Sequence, residues 1–155
     1  FKIDSNFELV IKNCSKKRKK DADTWINDCI KNTYINLNKL GYAHSIECWN
    51  DNKLIGGLYG VHIKSCFFGE SMFSSITNAS KLCLIYLISI LIKQNFLLLD
   101  SQFYNQHLTQ FGAYEIFDKE YQKKLKTALL KKNTFPKKIT YSESKSILQS
   151  LTQTS

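Results

Sequence analysis

Apolar residues near the start of the chain recur at intervals of three and four, which is the period of an α-helix. The first such set predicts a short amphipathic helix and consists of Phe7, Val10, Ile11 and Cys14. A second set runs from Ile26 to Leu40 and predicts another helix with one apolar face. Asp23 or Thr24 would cap its start, and Gly41 would end it.

After Gly41 the apolar period changes to two, which is typical of β-strands. The predicted strands cover residues 42–49, 54–61 and 63–68. Polar residues between the first two strands predict a tight turn, so the three strands would form an antiparallel meander. Gly56 and Gly57 inside the second strand indicate either a bulge or the close approach of another backbone or a ligand.

The next segments alternate between helix and strand. A predicted loop leads to a helix over residues 79–94, which is apolar on nearly all sides and would be capped by Asn78 or Ser80. Residues 96–99 form a continuous apolar run and predict a buried strand, and a short helix is expected at about residues 106–110. The expected fold is therefore a mixed α/β layer.

The length of the chain limits the number of domains. A chain of 155 residues with 43% hydrophobic residues can bury one core but hardly two. We therefore expect one domain over residues 1–135 and a polar tail over residues 136–155. The longest apolar run, residues 82–92, is well short of the roughly 20 residues that cross a bilayer, so it predicts a buried helix.

The net charge of the chain suggests a polyanionic partner. Lys and Arg number 22 against 13 Asp and Glu, a formal charge of +9. A basic surface favours a polyanion, nucleic acid ahead of an anionic membrane, although it can also serve solubility alone. The run from Lys16 to Lys20 predicts a solvated loop, which is either a plain surface loop or a phosphate contact.

The five cysteines are an odd number and include no Cys-x-x-Cys pair, so they predict reduced thiols that act as small core residues. They are Cys14, Cys29, Cys48, Cys66 and Cys83. The three histidines, His44, His62 and His107, have no spacing that suits a metal ion. We therefore expect no metal site.

Two segments carry unusual chemistry, because an apolar strand-like run ends in an ionisable or amide residue in each of them. These segments are Phe67–Ser74 and Leu98–Gln102. Such a pattern places polar groups at the mouth of an apolar interior, which is how small binding sites are often built.

Several separated motifs resemble, in order and spacing, the bacterial leucyl/phenylalanyl-tRNA-protein transferases. They are Thr24–Ile26, Gly41–Trp49, Gly56–Val61, Phe67–Ser74, Asn78–Lys81, Asp100–Gln102, His107–Leu108, Phe111–Ala113 and Glu115–Ile116. The resemblance extends from about Phe7 to about Lys124. The family also carries a small N-terminal domain with a tryptophan-rich motif before the segment that looks like Phe1–Cys14. We therefore expect the chain to be a fragment or a reduced homologue.

The resemblance implies an enzyme that moves leucine or phenylalanine, and by extension methionine, from its tRNA ester to the α-amino group of a protein. The acceptor would begin with Arg or Lys and be marked for degradation. The family's catalytic domain resembles the GCN5-related acetyltransferases, with a largely antiparallel sheet and crossing helices. The implied enzyme is cytoplasmic, needs no cofactor or membrane, and is expected to act as a monomer.

The resemblance also assigns roles to residues. Gln102 would accept a hydrogen bond from the incoming amine, and Asp100, on the same face of the strand, would polarise it. Glu70, at a strand end, would select the basic acceptor by a charge-assisted hydrogen bond. Trp25 would stack on the terminal adenine of the tRNA. Each role has a structural alternative. Asp100 and Gln102 could only hold the neighbouring loop, Glu70 could form a surface salt bridge, and Trp25 could pack against the core.

An apolar pocket for the aminoacyl side chain is the last expected feature. Its wall would include Leu58, Phe67, Met72, Leu84 and Leu99, and an ordinary filled core is the alternative. Two other functions also stay open. An acyl-CoA-dependent acetyltransferase would need a glycine-rich pyrophosphate loop, which Ser75–Ser80 does not provide. A non-catalytic tRNA-binding remnant is the second.

Overall fold

The computed structural model describes residues 1–16, 24–103, 105–138, 140, 142–143, 145–146 and 149. Lys17 to Lys20 of the basic run and the candidate cap Asp23 lie outside the described residues. Within the described chain, the elements are β1 Lys2–Ile3, α1 Phe7–Cys14, α2 Asp28–Lys39, β2 Ala43–Asn50, β3 Lys53–Ile63, β4 Cys66–Ser74, α3 Ala79–Lys93, β5 Leu98–Asp100, α4 Gln106–Thr109 and α5 Asp118–Leu130.

The strands form a single five-stranded sheet in the order β1-β2-β3-β4-β5. Neighbours from β1 to β4 are antiparallel, and β5 runs parallel to β4. The predicted mixed α/β fold and its antiparallel meander are thus confirmed. The likeness of this sheet to that of the acetyltransferases stays a prediction.

Helices cover both faces of the sheet. On one face, α1 and α2 pack their apolar stripes against β2 and β3, with Phe7, Val10 and Tyr59 fully enclosed. On the other face, α3 is apolar nearly all round and packs against Ile46 and Leu58. The sheet is therefore the middle of three layers, and its strand ends are where polar side chains can reach solvent.

Several boundaries differ from the sequence predictions for local physical reasons. The second helix begins at Asp28 rather than next to Asp23 or Thr24, because the Asn27 side chain accepts a hydrogen bond from the Ile30 N–H at 2.9 Å. The third strand of the meander is Cys66–Ser74 rather than 63–68. Its alternation was hidden by the small and polar residues at positions 69–71.

Two further elements were not predicted. The strand β1 has only two residues, too few for a periodic signal. The helix α5 carries several lysines, which hide the inward face that it forms around Tyr121 and the fully buried Ala128. This helix packs against β4 and β5, next to the segment that the sequence singled out for its chemistry.

The predicted bulge and the predicted close approach both occur at the glycines of β3. Cys48 lies opposite Gly56 and Trp49 opposite Leu54, so Ile55 is the extra residue of a β-bulge beside Gly56. A Cβ atom at Gly56 would lie 2.5 Å from the Cβ of Ala79, so the start of α3 needs a glycine here. A Cβ at Gly57 would lie 2.9 Å from the ring of Phe73. Gly60 has the least room, because a Cβ there would meet the Phe68 carbonyl and lie 2.5 Å from the Phe67 ring.

Buried polar groups tie the N-terminal strand to the sheet. The carboxylate of the buried Glu47 accepts hydrogen bonds from the Asn6 N–H at 2.7 Å and from the Ser45 hydroxyl and the Trp49 indole N–H at 2.9 Å each. A second carboxylate, that of Asp4, lies 2.7 Å from the His44 ring nitrogen. Asp4, which is half-buried, also accepts a hydrogen bond from the Ser45 N–H at 2.7 Å. Each of the two carboxylates therefore has several partners, which is the condition for burying a polar group.

Phe135 closes the second face of the sheet. Its buried ring stacks on His44, with 4.4 Å between ring centroids, and packs against Phe67 at 5.4 Å. The residue stands at the end of the predicted domain, 1–135, so the core reaches that boundary. The division into a domain and a tail stays a prediction.

Four of the cysteines are buried, as expected, but Cys29 is exposed on α2, so its predicted core position is wrong.

In the described residues no group of three His, Cys, Asp or Glu side chains could hold a metal ion. None of the described helices combines the length and the apolar content that a membrane span requires.

The contacts of Gly60 predict a measurable difference between two glycines. Gly60→Ala should lower the free energy of unfolding by about 3 kcal/mol, because the added methyl overpacks a site bounded by backbone. Gly69→Ala should cost less than about 1 kcal/mol, since its Cβ would lie at an ordinary 3.5 Å from the Asp100 carbonyl oxygen. Urea denaturation of both variants checks this, and equal losses would contradict the packing described.

Candidate active site

The two segments with unusual chemistry lie side by side. The parallel pair of β4 and β5 ends with Phe68 opposite Asp100. Beyond this point β4 continues to Ser74, whereas β5 ends at Asp100. The strands therefore separate where Glu70 and Gln102 follow them, which leaves an open notch at the edge of the sheet.

The carboxylate of Asp100 holds the turn that leads out of β5. Its Oδ1 accepts a hydrogen bond from the backbone N–H of Gln102 at 2.7 Å. Gln102 has a left-handed backbone with φ 66°, which a non-glycine residue adopts only when its surroundings hold it. The predicted arrangement is wrong in one respect: Gln102 lies beyond the strand, and Asp100 binds its backbone rather than sharing a strand face with it.

The second oxygen of the same carboxylate is also occupied. Tyr121, on the inward face of α5, donates its hydroxyl hydrogen to Asp100 Oδ2 at 2.6 Å. This hydrogen bond raises the pKa of Tyr121 to about 12, so the hydroxyl remains a donor at neutral pH. Asp100 thereby connects β5, the Gln102 turn and α5.

Glu70 lies on a β-bulge rather than at the predicted strand end. In the pairing of β3 with β4, Tyr59 is opposite Ser71 and Gly60 is opposite Gly69, so Glu70 is the extra residue. Bulges are common next to functional sites because they re-aim a side chain. Glu70 also stands past the last residue of β4 that pairs with β5, so it borders the notch.

The bulge directs Glu70 toward α2. The Tyr34 hydroxyl on that helix lies close to the Glu70 carboxylate. Burial, followed by this nearby carboxylate, raises the pKa of Tyr34, and burial likewise raises the pKa of the neighbouring Tyr59. Both phenols therefore stay protonated, so the side chain that Glu70 meets on α2 is uncharged.

A groove of about 850 Å³ opens between the end of β5, α3, α4 and the start of α5. Apolar side chains form much of its surface, among them Leu84, Ile88, Leu99, Leu108, Phe111 and Ile116. Asp100, Gln102 and Tyr121 bring polar groups to the same groove. An apolar cleft with a few convergent polar groups can hold an apolar side chain next to a polar reacting centre.

The groove contains some of the predicted pocket residues and not others. Leu84 and Leu99 line it together with Asp100 and Gln102. Leu58 and Phe67 are instead enclosed in the core beneath α3, and Phe67 has no exposed surface. Met72 packs partly buried against the same core cluster. A role for these three residues in binding stays a prediction.

Trp25 is exposed and does not pack against the core, which was the alternative to its predicted stacking on a base. It precedes α2 and 54% of its surface is exposed. An exposed ring at this place is free to receive a flat partner, although its predicted use stays untested.

Sequence reasoning missed Tyr34 and Tyr121 as members of the site. Each lies on a helix far along the chain from the carboxylate that it contacts, and neither belongs to a local polar motif. A signal was nevertheless present for Tyr121, since Tyr121, Leu125 and Ala128 have the spacing of one helix face.

Known proteins resemble most of the chain. A family profile described as leucyl/phenylalanyl-tRNA protein transferase matches residues 1–126. A leucyl/phenylalanyl-tRNA–protein transferase of Zymomonas mobilis subsp. mobilis is 52% identical over 126 residues, which is 81% of this chain and 47% of the relative.

Two further relatives have the same name. The protein of Phenylobacterium zucineum is 48% identical over 128 residues, covering 83% of this chain and 58% of its own length. That of Hyphomonas neptunium is 48% identical over 127 residues, covering 82% and 49%. The chain thus spans about half the length of the curated relatives that it matches.

The hydrogen bond between Tyr121 and Asp100 gives a prediction for the site itself. Tyr121→Phe removes one donor to a charged acceptor, so the free energy of unfolding should fall by about 1.5–3 kcal/mol. Hydrogen exchange at the Gln102 amide should also become faster, because the carboxylate that holds it is less restrained. Tyr42→Phe, a half-exposed tyrosine before β2, is the matched control. Unchanged exchange at Gln102 would show that α5 does not restrain the turn.

Proposed function

The chain belongs to the leucyl/phenylalanyl-tRNA protein transferase family, and on that basis we propose that it transfers leucine or phenylalanine from aminoacyl-tRNA to the N-terminal amino group of proteins. The structural observation that supports this most is the Gln102 turn. It presents an amide side chain at the mouth of an apolar groove while Asp100 holds its backbone at 2.7 Å.

The proposed reaction needs positioning more than a strong base. The donor is an ester, which is already activated, and the nucleophile is a neutral amine. The amine nitrogen attacks the ester carbonyl carbon, a peptide bond forms, the ester bond to the ribose oxygen breaks, and a proton passes from the amine to that oxygen. Holding the two groups within attack distance can supply several kcal/mol of the barrier.

Gln102 and Asp100 have different parts in this proposal. The Gln102 side-chain carbonyl accepts a hydrogen bond from the amine and orients its lone pair, since an amide is too weak a base to remove a proton. Asp100 acts through the backbone by holding the turn in its left-handed conformation. Its carboxylate also adds negative charge near the ammonium form of the acceptor.

Glu70 is proposed to select the acceptor. An N-terminal Arg or Lys brings a cationic side chain, and none of the described ion pairs involves the Glu70 carboxylate, whose neighbour on α2 is the neutral Tyr34. A charge-assisted hydrogen bond from guanidinium or ammonium would therefore add to binding. Modification of such N-termini would mark proteins for degradation.

The donor is proposed to bind through its two ends. The exposed ring of Trp25 can stack on the terminal adenine, and the leucyl or phenylalanyl side chain can enter the groove beside Leu84 and Leu99. An apolar wall separates side chains mainly by size and shape, so methionine would also be accepted. No cofactor takes part in this scheme.

A transfer assay with matched substrates tests the proposal. Purified chain should transfer labelled leucine from leucyl-tRNA to an Arg-starting peptide and transfer isoleucine from isoleucyl-tRNA at least tenfold more slowly. It should also prefer the Arg-starting over an Ala-starting peptide. Glu70→Gln should raise the KM of the Arg-starting peptide and leave the KM of leucyl-tRNA unchanged.

Each outcome of this assay has a distinct meaning. Tight binding of leucyl-tRNA without transfer would identify a non-catalytic tRNA-binding remnant and contradict the proposed activity. Equal transfer of leucine and isoleucine would show that the groove does not read the side chain. Equal use of both peptides by the unmodified chain would remove Glu70 from the acceptor site.

A further inference from the structure

The two faces of α5 have different character. Its inward face carries Tyr121, Leu125 and Ala128, which lie against the sheet and the notch. Half a turn away around the helix are Lys119, Lys123 and Lys126, whose positions differ by four and three residues and so share one face. All three of these lysines are exposed.

The outer lysines have no acidic partner in the described part of the chain. Among the described ion pairs, the one within α5 joins Lys124 to Glu120 at 3.5 Å and involves none of the three. Residues 118–138 contain eight lysines against two acidic residues. Ordinary surface helices mix both signs, so this face has a strong and unpaired positive potential.

Exposed aromatic rings border the same region. Phe103 directly follows Gln102 and is 86% exposed, and Phe117 at the start of α5 is 88% exposed. Tyr114, also largely exposed, lines the groove and lies close to Lys124. Aromatic rings between a groove and a lysine face suit single-stranded nucleic acid, because bases stack on the rings while phosphates contact the cations.

The position of this face relative to the groove is fixed by the site. Tyr121 binds Asp100 on the inward side of the helix, so α5 cannot shift without disturbing the Gln102 turn. A polyanion on the outer face would therefore lie at a constant distance from Gln102. An RNA strand that carries an aminoacyl ester into the groove needs such a fixed support.

We propose that the outer face of α5, with Lys119, Lys123 and Lys126, binds the backbone of the RNA strand whose aminoacyl end enters the groove. This inference rests on the proposed function for the identity of the RNA. It adds a phosphate-binding surface on α5 to the two donor contacts already proposed, the groove and Trp25.

A triple variant tests the surface. Lys119→Gln, Lys123→Gln and Lys126→Gln together should weaken leucyl-tRNA binding at least tenfold at low salt. The slope of log Kd against log salt concentration should fall by about 2, since each phosphate contact to single strands contributes roughly 0.7. The matched control changes Lys39, Lys53 and Lys81 to Gln, which removes the same charge from elsewhere on the fold.

A minimal donor separates this inference from the proposed function. Leucyl-adenosine lacks the RNA backbone, so the triple variant should use it at the same rate as the unmodified chain. If the unmodified chain uses neither donor but the triple variant still loses tRNA affinity, the proposed activity fails and the surface stands.

Three results would overturn the inference. The first is an unchanged salt slope in the triple variant. The second is an equal loss of affinity in the control triple, which would show an effect of net charge alone. The third is that poly-glutamate binds the unmodified chain as tightly as the RNA and loses the same affinity in the variant, which would identify a general site for acidic polymers.

Discussion

The structure of the site depends on one carboxylate with both oxygens engaged. Asp100 is the last residue of β5. One of its carboxylate oxygens accepts a hydrogen bond from the Gln102 N–H, and the other accepts one from the Tyr121 hydroxyl. These two hydrogen bonds join a strand, a strained turn and a helix that are otherwise separate in sequence. Removing the carboxylate would release Gln102 from its left-handed backbone, because a positive φ in a non-glycine residue persists only where its surroundings stabilise it. The helix α5 would lose one of its ties to the sheet edge and keep the packing of the buried Ala128.

The periodic elements of the fold could be predicted, because the sheet buries alternate residues and the helices bury one stripe. The mixed α/β class and the helices Phe7–Cys14 and Ala79–Lys93 follow from that burial pattern alone. The site could be predicted only in part. Its residues are recognisable as polar groups at the ends of apolar runs, but a bulge at Glu70 and a turn at Gln102 depend on contacts with distant residues. No local pattern reports a hydrogen bond between positions 100 and 121.

The same limit applies to the pocket wall. Phe67 and Leu99 are direct partners in the parallel pair of β4 and β5, and the sequence gives both an apolar strand position. Phe135 packs on Phe67 and encloses it, whereas Leu99 borders the open groove. The distinction between core and pocket is thus set by a residue 68 positions further along the chain. The rim of the core is therefore open to a ligand while its centre stays packed.

We propose that Asp100 and Gln102 act as one unit, with the carboxylate serving chiefly to hold the turn. A double-mutant cycle on the transfer rate at saturating leucyl-tRNA tests this most directly. Asp100→Ala and Gln102→Ala should each slow transfer by about 100-fold, and the double variant should be no slower than the worse single variant, because the second substitution removes a group that is already misplaced. Losses that multiply in the double variant would contradict the account, since they would mean that the two residues contribute independently.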